Sequence, residues 1–100
     1  MIIVAGTLQL TEIGLASIRD AARAVILATR EEEGCILYSF AADLTEPGLV
    51  RIYEEWESRE TLKAHGASAH VAAWREALKS IDVKSSELRL IEVTSVEPFA

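Results

Sequence analysis

The order of strand-like and helix-like patterns restricts the fold of this chain more than any single motif does. The segment IIVAGTLQL is apolar and rich in β-branched residues, which predicts a first strand over Ile2–Leu10. Apolar residues then recur at helical spacing from Ile13 to Glu33, with Thr11 placed to cap the start and Gly34 to end the helix. The apolar face of this helix consists of Ile18, Ala22, Val25, Ile26 and Thr29. The first third of the chain is therefore predicted to be one strand followed by one long helix.

Two further strand patterns follow, separated by a short turn. The segment CILYSFAAD predicts a second strand and LVRIYEEW a third, and Pro47-Gly48 marks the turn between them. Alternation places Ile36, Tyr38 and Phe40 on one face of the second strand and Cys35, Leu37 and Ser39 on the other. Because the connection is short, the two strands are predicted to form an antiparallel hairpin.

The last part of the chain predicts a broken helix and a final strand. Ser58 is placed to cap a short helix that Gly66 ends, and Ser68 to cap a second segment that carries Val71, Trp74 and Leu78. IDVKSSE is interpreted as a polar connector and LRLIEVTSVEPF as the last strand. The complete order is βαββαβ, which predicts an α+β protein with a ferredoxin-like fold, an antiparallel sheet and a single domain over residues 1–100.

Composition restricts the partners. The net charge of −6 repels phosphate backbones, so nucleic acid is not expected as a partner. No apolar run approaches the roughly 20 residues of a membrane span, and no signal peptide is recognised, so a cytoplasmic protein without membrane contact is expected. A hydrophobic fraction of 50% is high for a chain of 100 residues, and this fold leaves one sheet face bare. We therefore expect an oligomer in which a partner chain covers this face.

The third strand carries the most unusual residue of the sequence. Val50, Ile52, Glu54 and Trp56 share one face of this strand, so a carboxylate lies among apolar neighbours and needs a partner or a proton. His65, at the end of the following short helix, is within reach of the same face. Two interpretations fit: a pocket in which Glu54 and His65 handle protons, or a structural Glu–His bridge beside a core tryptophan.

A metal site is not predicted. His65 and His70 are five residues apart, so on one continuous helix their directions differ by roughly 140°. A break at Gly66 would alter this geometry, but the chain has no HExxH motif and no paired cysteines. The acidic run Glu31–Glu33 is interpreted as a solvated last helical turn, and the lone Cys35 as a structural thiol. The chain also has no glycine-rich phosphate loop.

The segments EEEGCILYSF and EPGLVRIYEEWESRETLKAHGASAH together resemble the pattern of the antibiotic biosynthesis monooxygenase family. The resemblance implies a dimeric α+β barrel, that is, a homodimer through the sheet face, with a cavity between the sheet and the helices of each subunit. It also implies oxidation of small aromatic, quinol-like substrates by molecular oxygen without a metal, flavin or haem. By position, Trp56 matches an aromatic residue of the cavity and His65 a histidine at its border. Either Glu54 or Glu55 matches the acidic residue that precedes the aromatic one.

The resulting prediction is a cofactor-independent monooxygenase that oxidises a quinol- or anthrone-like compound. The predicted catalytic residues are His65, Trp56 and Glu54, and the predicted substrate-binding residues are Tyr38, Phe40, Trp56 and Leu62. One alternative is a non-catalytic module that binds an apolar ligand or haem, although Ala5, Gly6 and Thr7 stand where haem-degrading relatives carry an asparagine. Another is an isomerase of a small phosphorylated metabolite, for which Arg51, Lys63 and Arg75 are the candidate basic residues.

Overall fold

Seven helices and strands follow one another along the chain, which a computed structural model describes from residue 1 to residue 100. They are β1 (Ile2–Leu10), α1 (Glu12–Arg30), β2 (Cys35–Ala42), β3 (Leu49–Trp56), α2 (Arg59–Gly66), α3 (Ala69–Leu78) and β4 (Val83–Glu92). The strands form one antiparallel sheet in the order β2-β3-β1-β4, with β1 paired to β3 and β4, and β2 paired to β3. This arrangement confirms the predicted ferredoxin-like βαββαβ fold.

The helices cover one face of the sheet. The alternation predicted for β3 is confirmed, since all four residues on its inward face are buried: Val50, Ile52, Glu54 and Trp56. The main core contains Leu8, Leu10, Ile18, Val25, Val50, Ile52, Val71 and Trp74. The molecule measures 39 × 34 × 19 Å, and its shortest dimension corresponds to about two layers of secondary structure at roughly 10 Å each. No third layer lies on the other face of the sheet.

Serine and threonine side chains define where each helix begins. Thr11 Oγ1 accepts a hydrogen bond from the Gly14 amide at 2.9 Å, and Ser58 forms a capping box with Thr61. Ser68 Oγ accepts from the Val71 amide at 3.3 Å and donates to the His65 carbonyl at 2.7 Å. All three predicted caps are confirmed. Since Ser68 has extended backbone angles, the chain leaves helical geometry between α2 and α3.

The turn after α1 differs from the prediction. The helix ends at Arg30 rather than at Glu33, and Gly34 follows in the left-handed region at φ +82°. A side chain at Gly34 would also collide with Thr61 of α2, so a glycine is required for two reasons. Even this longest helix falls short of a membrane span: no helix of the protein combines the necessary length and apolar composition.

Two strand predictions are wrong in detail. A bulge lies in β2, where Cys35 pairs with Trp56 and Leu37 with Glu55, so that Cys35 packs toward the buried Tyr38 while Ile36 stays half-exposed. The segment interpreted as a polar connector is instead the first half of β4, which pairs with β1 from Val83 onward. Every residue of β4 is exposed, so its polar side chains carry no burial penalty in a strand. Side-chain polarity is therefore no guide to an edge strand of this kind.

Candidate functional site

A cavity of about 430 Å³ lies between the sheet and the helices α2 and α3. This volume falls in the range of small-molecule sites. Ten of its 15 lining residues are hydrophobic, including the aromatic residues Tyr38, Phe40 and Trp74. The polar and charged lining residues are Glu54, His65, Arg75 and Ser86. An apolar cavity with few polar groups is suited to a small aromatic molecule.

The His65 side chain is held by a carboxylate on the side away from the cavity. It lies at the end of α2, is 7% exposed, and places Nδ1 2.6 Å from Glu32 Oε2. An ionised carboxylate has no proton to donate, so Nδ1 is the protonated nitrogen and donates to Glu32. The other ring nitrogen, Nε2, has no hydrogen-bond partner in the protein, and in the neutral ring it carries the free lone pair. His65 is thus oriented as a proton acceptor.

Glu32 also contacts the second histidine. His70 Nε2 lies 3.0 Å from the same Oε2 atom, so one carboxylate oxygen serves both imidazole rings. The interpretation of the whole acidic run as a solvated turn is therefore wrong for Glu32, whose side chain is 17% exposed. The break between α2 and α3 removes the divergence of roughly 140° expected for one continuous helix. The donor atoms of Glu32, His65 and His70 all lie within 4.8 Å of one another, close enough for one metal ion to contact all three.

Glu54 has a different partner from the one expected. It is 6% exposed, and its Oε1 accepts a hydrogen bond from the Trp56 indole Nε1 at 2.8 Å. Burial raises the pKa of the Glu54 carboxyl, and the hydrogen bond from Trp56 opposes that rise only in part. Glu54 forms no hydrogen bond to His65, so the predicted Glu54–His65 bridge is absent. The carboxylate bonded to His65 is Glu32.

The predicted aromatic residues differ in whether they line the cavity. Tyr38, Phe40 and Leu62 line the cavity, as do Glu54 and His65. Trp56 is fully buried and does not line the cavity; its indole ring packs against the His65 ring, with centroids 4.7 Å apart. The Tyr38 ring also packs against the His65 ring, with centroids 5.2 Å apart. Trp56 therefore holds Glu54 through a hydrogen bond and His65 through ring packing, without lining the cavity itself.

Tyr38 stays a phenol in this environment. Burial raises the pKa of its hydroxyl group, and the charge of Glu54 raises it further. A protonated hydroxyl group on the cavity wall is a hydrogen-bond donor for a substrate oxygen. The three basic candidates are dispersed: Arg75 lines the cavity, whereas Arg51 pairs with Asp43 at 3.0 Å and Lys63 is not a lining residue. The cavity therefore has one of the three basic side chains that a phosphorylated ligand was expected to use.

Glu32 is the site residue that sequence reasoning missed. One signal was available, because acidic residues at a helix C-terminus oppose the macrodipole and are not placed there for helix stability. That signal does not say which of three consecutive glutamates faces inward. The folded turn decides it, since Glu32 lies within hydrogen-bond distance of His65 and His70, whereas Glu31 and Glu33 are exposed.

Comparison with known proteins places the chain in a family. The family model described as antibiotic biosynthesis monooxygenase matches residues 1–77. The crystal structure of a candidate antibiotic biosynthesis monooxygenase from Deinococcus radiodurans superimposes with a TM-score of 0.92 at 30% identity, covering 100% of this chain and 99% of that one. A conserved protein from Methanosarcina mazei shares the fold, with a TM-score of 0.82 and 24% identity over 90% and 89% of the two chains.

A curated relative adds sequence evidence without a function. An uncharacterized protein of Synechocystis is 28% identical over 69 residues, which are 69% of this chain and 47% of that protein. The match thus spans about half the length of this relative. The match to the family model, extending over most of the sequence, carries the assignment: this chain belongs to the antibiotic biosynthesis monooxygenase family.

Proposed function

We propose that this protein is a monooxygenase that needs no cofactor and oxidises a small quinol- or anthrone-like aromatic compound with molecular oxygen. The observation that carries this proposal is the pair formed by Glu32 and His65 at the cavity wall. The carboxylate holds Nδ1 at 2.6 Å, which leaves Nε2 as a free base next to aromatic side chains. Membership of a monooxygenase family supports the reaction class.

The first step is proton removal by His65. Nε2 takes a proton from the phenol of a quinol or from the acidic ring CH₂ of an anthrone, and the anion that forms is electron-rich enough to reduce oxygen. Glu32 stabilises the imidazolium produced in this step, because the charged ring donates to its carboxylate. A well-placed base of this kind contributes about 10²–10⁴-fold to the rate.

The oxygen step balances without an added reductant. One electron passes from the substrate anion to oxygen, and the two radicals combine to form a new carbon–oxygen bond. The O–O bond then breaks, one oxygen atom remains on the ring as a carbonyl group, and the other leaves as water with two hydrogen atoms from the substrate. Anthrone and oxygen therefore give anthraquinone and water, with the substrate supplying all the electrons.

The cavity wall supplies binding and orientation. Tyr38, Phe40 and Trp74 present aromatic surface to the substrate ring, and Leu62 adds apolar contact. The Tyr38 hydroxyl group donates to a substrate oxygen because its raised pKa keeps it protonated. Glu54, whose carboxyl pKa is raised by burial, also lines the cavity, in position to exchange a proton with the substrate oxygen. Trp56 fixes Glu54 and His65 without contacting the substrate.

Oxygen uptake with a panel of reduced naphthoquinols and anthrones tests the proposal. Wild-type protein should exceed background autoxidation, and His65→Gln should lose about 10²–10⁴-fold of that excess because Gln cannot act as a base. Glu32→Gln should reduce the rate less, since the imidazole remains but loses its ionised partner. His70→Gln is the matched control, because it changes the other histidine on Glu32 and leaves Nε2 of His65 in place.

Two outcomes contradict the proposal. If no substrate consumes oxygen faster with the protein than without it, the monooxygenase assignment fails. Saturable binding of the aromatic compounds with no oxygen uptake would instead favour a binding module. If the rate stays high in His65→Gln and falls in Glu54→Gln, the reaction stands and the base is Glu54.

The functional unit in this proposal is a homodimer. The outer face of the sheet carries Leu37, Tyr53 and Ile91, which are 41%, 37% and 44% exposed, and no element of the chain covers them. Packing two such faces together would bury these side chains and give each sheet its missing layer.

A further inference from the structure

We propose that Glu32, His65 and His70 form a binding site for a divalent transition-metal ion such as zinc. The three residues come from three places in the chain: the turn after α1, the end of α2 and the first turn of α3. The reaction proposed above makes no use of a metal and assigns no role to His70. Metal binding would be a second property of His65, and the metal ion would lie on the side of its ring away from the cavity.

The three potential metal-ligand atoms already lie close together. Nδ1 of His65 and Nε2 of His70 lie 2.6 and 3.0 Å from Glu32 Oε2, and the whole set fits within 4.8 Å. Zinc binds imidazole nitrogen and carboxylate oxygen at roughly 2.0–2.2 Å, which sets tetrahedral ligand atoms a little over 3 Å apart. The ion therefore needs small side-chain movements and no change in the fold. It would replace the protons that the rings now direct at Glu32.

The ligand types indicate the metal. Two imidazoles and one carboxylate suit zinc, cobalt, nickel or ferrous iron, whereas magnesium and calcium prefer oxygen ligands. Three protein ligands leave at least one coordination position for water. The ion can also reach the site from solvent, because the His70 side chain is 27% exposed and that of Glu32 17%.

The break between α2 and α3 is the structural basis of the site. Ala67 caps the end of α2, and Ser68 starts α3 with a side chain that contacts backbone groups of both helices. A continuous helix would turn the two histidines apart. The break places His65 and His70 against the same oxygen of Glu32, which lies in the turn after α1.

Metal binding would act on the base of the reaction. An ion on Nδ1 forces the remaining ring proton onto Nε2, and the proton acceptor at the cavity becomes a donor. This coupling rests on the proposed function, whereas the site itself does not. Zinc would then inhibit oxygen uptake by occupying the far side of the His65 ring.

Cobalt titration followed by visible absorption tests the site. Wild-type protein should bind one Co²⁺ ion per chain with the spectrum of a nitrogen- and oxygen-ligated ion, and Zn²⁺ should displace it while Mg²⁺ should not. His70→Ala and Glu32→Gln should each weaken Co²⁺ binding by at least about tenfold. Glu31→Gln, next to Glu32 in the sequence, is the matched control and should bind as wild type does. Circular dichroism checks that each variant is folded.

The absence of saturable Co²⁺ binding overturns the site, and so does binding that folded His70→Ala and Glu32→Gln retain at full strength. In that case the two histidines and Glu32 share protons only. The coupling has its own readout, which is oxygen uptake by protein loaded with zinc. Undiminished uptake in a chain that has bound zinc overturns the coupling and leaves the site standing, and a chain with no uptake at all contradicts the proposed function and not the site.

Discussion

In the turn after α1, one carboxylate oxygen of Glu32 accepts hydrogen bonds from the imidazole rings of His65 and His70. Both bonds hold side chains that are mostly buried, and hydrogen bonds to a charged group are worth about 1.5–3 kcal/mol each. Glu32 therefore orients His65 and His70 at the same time, and its loss would leave both rings without their only side-chain hydrogen-bond partner. Glu54, which lines the cavity, has a single hydrogen bond for its buried carboxyl group. Glu32 is thus a carboxylate with two hydrogen-bond donors, whereas Glu54 has lost most of its hydration for one donor.

Replacing Glu54 with Gln should stabilise the protein at neutral pH. A carboxyl group whose pKa is raised by folding destabilises the folded state above its unfolded pKa of about 4.5, and the cost is fully present above the folded pKa. Gln removes this charge and keeps an oxygen for the Trp56 indole. The melting temperature of Glu54→Gln should exceed that of wild type at pH 7 by roughly 4–8 °C for each kcal/mol recovered, and the two should converge near pH 4.

Thermal unfolding between pH 4 and pH 8 measures this effect. Glu57→Gln is the control, because Glu57 directly follows β3 and is exposed; it should gain no stability as the pH rises. A Glu54→Gln variant that is less stable than wild type at pH 7 would contradict the assignment of burial as the dominant influence on Glu54.

The sequence predicted that the Glu54 carboxylate lies on an apolar strand face, but it did not predict which residue forms a hydrogen bond with it. Alternation along β3 is enough to place a carboxylate on an apolar face, because the period of a strand is fixed at two residues. Alternation puts Trp56, two residues further along, on the same face as Glu54, and does not say whether Glu54 bonds Trp56 or His65. Tertiary geometry decides this, because it turns His65 toward Glu32 and leaves the Trp56 indole to Glu54. The same limit explains Glu32 itself, since three adjacent glutamates cannot be ranked without knowing how the turn at Gly34 directs them.

At the level of elements, the helix break at residues 66–68 determines the geometry of the site. Ser68→Ala should lower the free energy of unfolding by about 1 kcal/mol through loss of the α3 cap, and should also loosen the His65–His70 pair, because Ser68 bonds the His65 carbonyl. Ser58→Ala is the matched control, since it removes the cap of α2 and leaves the break untouched.

Urea denaturation gives the free energies, and cobalt titration gives the state of the histidine pair. Both variants should lose similar stability, while Ser68→Ala alone should lose Co²⁺ affinity. Equal Co²⁺ affinity in the two variants would show that the break holds its shape without the Ser68 hydroxyl group.

Element prediction succeeded where local chemistry specifies structure. The three predicted caps and the β2–β3 hairpin are confirmed, because each depends on residues that are close in sequence. The bulge at Ile36 and the start of β4 at Val83 were missed. A bulge inserts one residue into an otherwise regular alternation, and an edge strand that buries nothing has no hydrophobic pattern to recognise.

At the scale of the whole molecule, the sheet is covered on one face by helices and bare on the other. Changing Ile91 to Arg should convert the proposed dimer to a monomer, because it puts a charge among the apolar side chains of the outer sheet face. Analytical ultracentrifugation measures the mass. Leu44→Arg is the control, since Leu44 is a fully exposed apolar residue in the β2–β3 turn. A wild-type protein that sediments as a monomer at micromolar concentration would contradict the dimer.

The edge strand β4 has a consequence for how a ligand enters and leaves. It hydrogen-bonds to β1 alone and buries none of its ten residues, yet Ser86 and Leu88 form part of the cavity wall. In a single chain, a strand paired on one side only costs less to detach than a strand paired on both sides, so the amide hydrogens of β4 should exchange with solvent faster than those of β1 and β3. Each detachment removes one wall of the cavity. Occupancy and strand opening are therefore a single linked equilibrium: a molecule that fills the cavity slows amide exchange along β4, and strand opening gives that molecule one further route of escape.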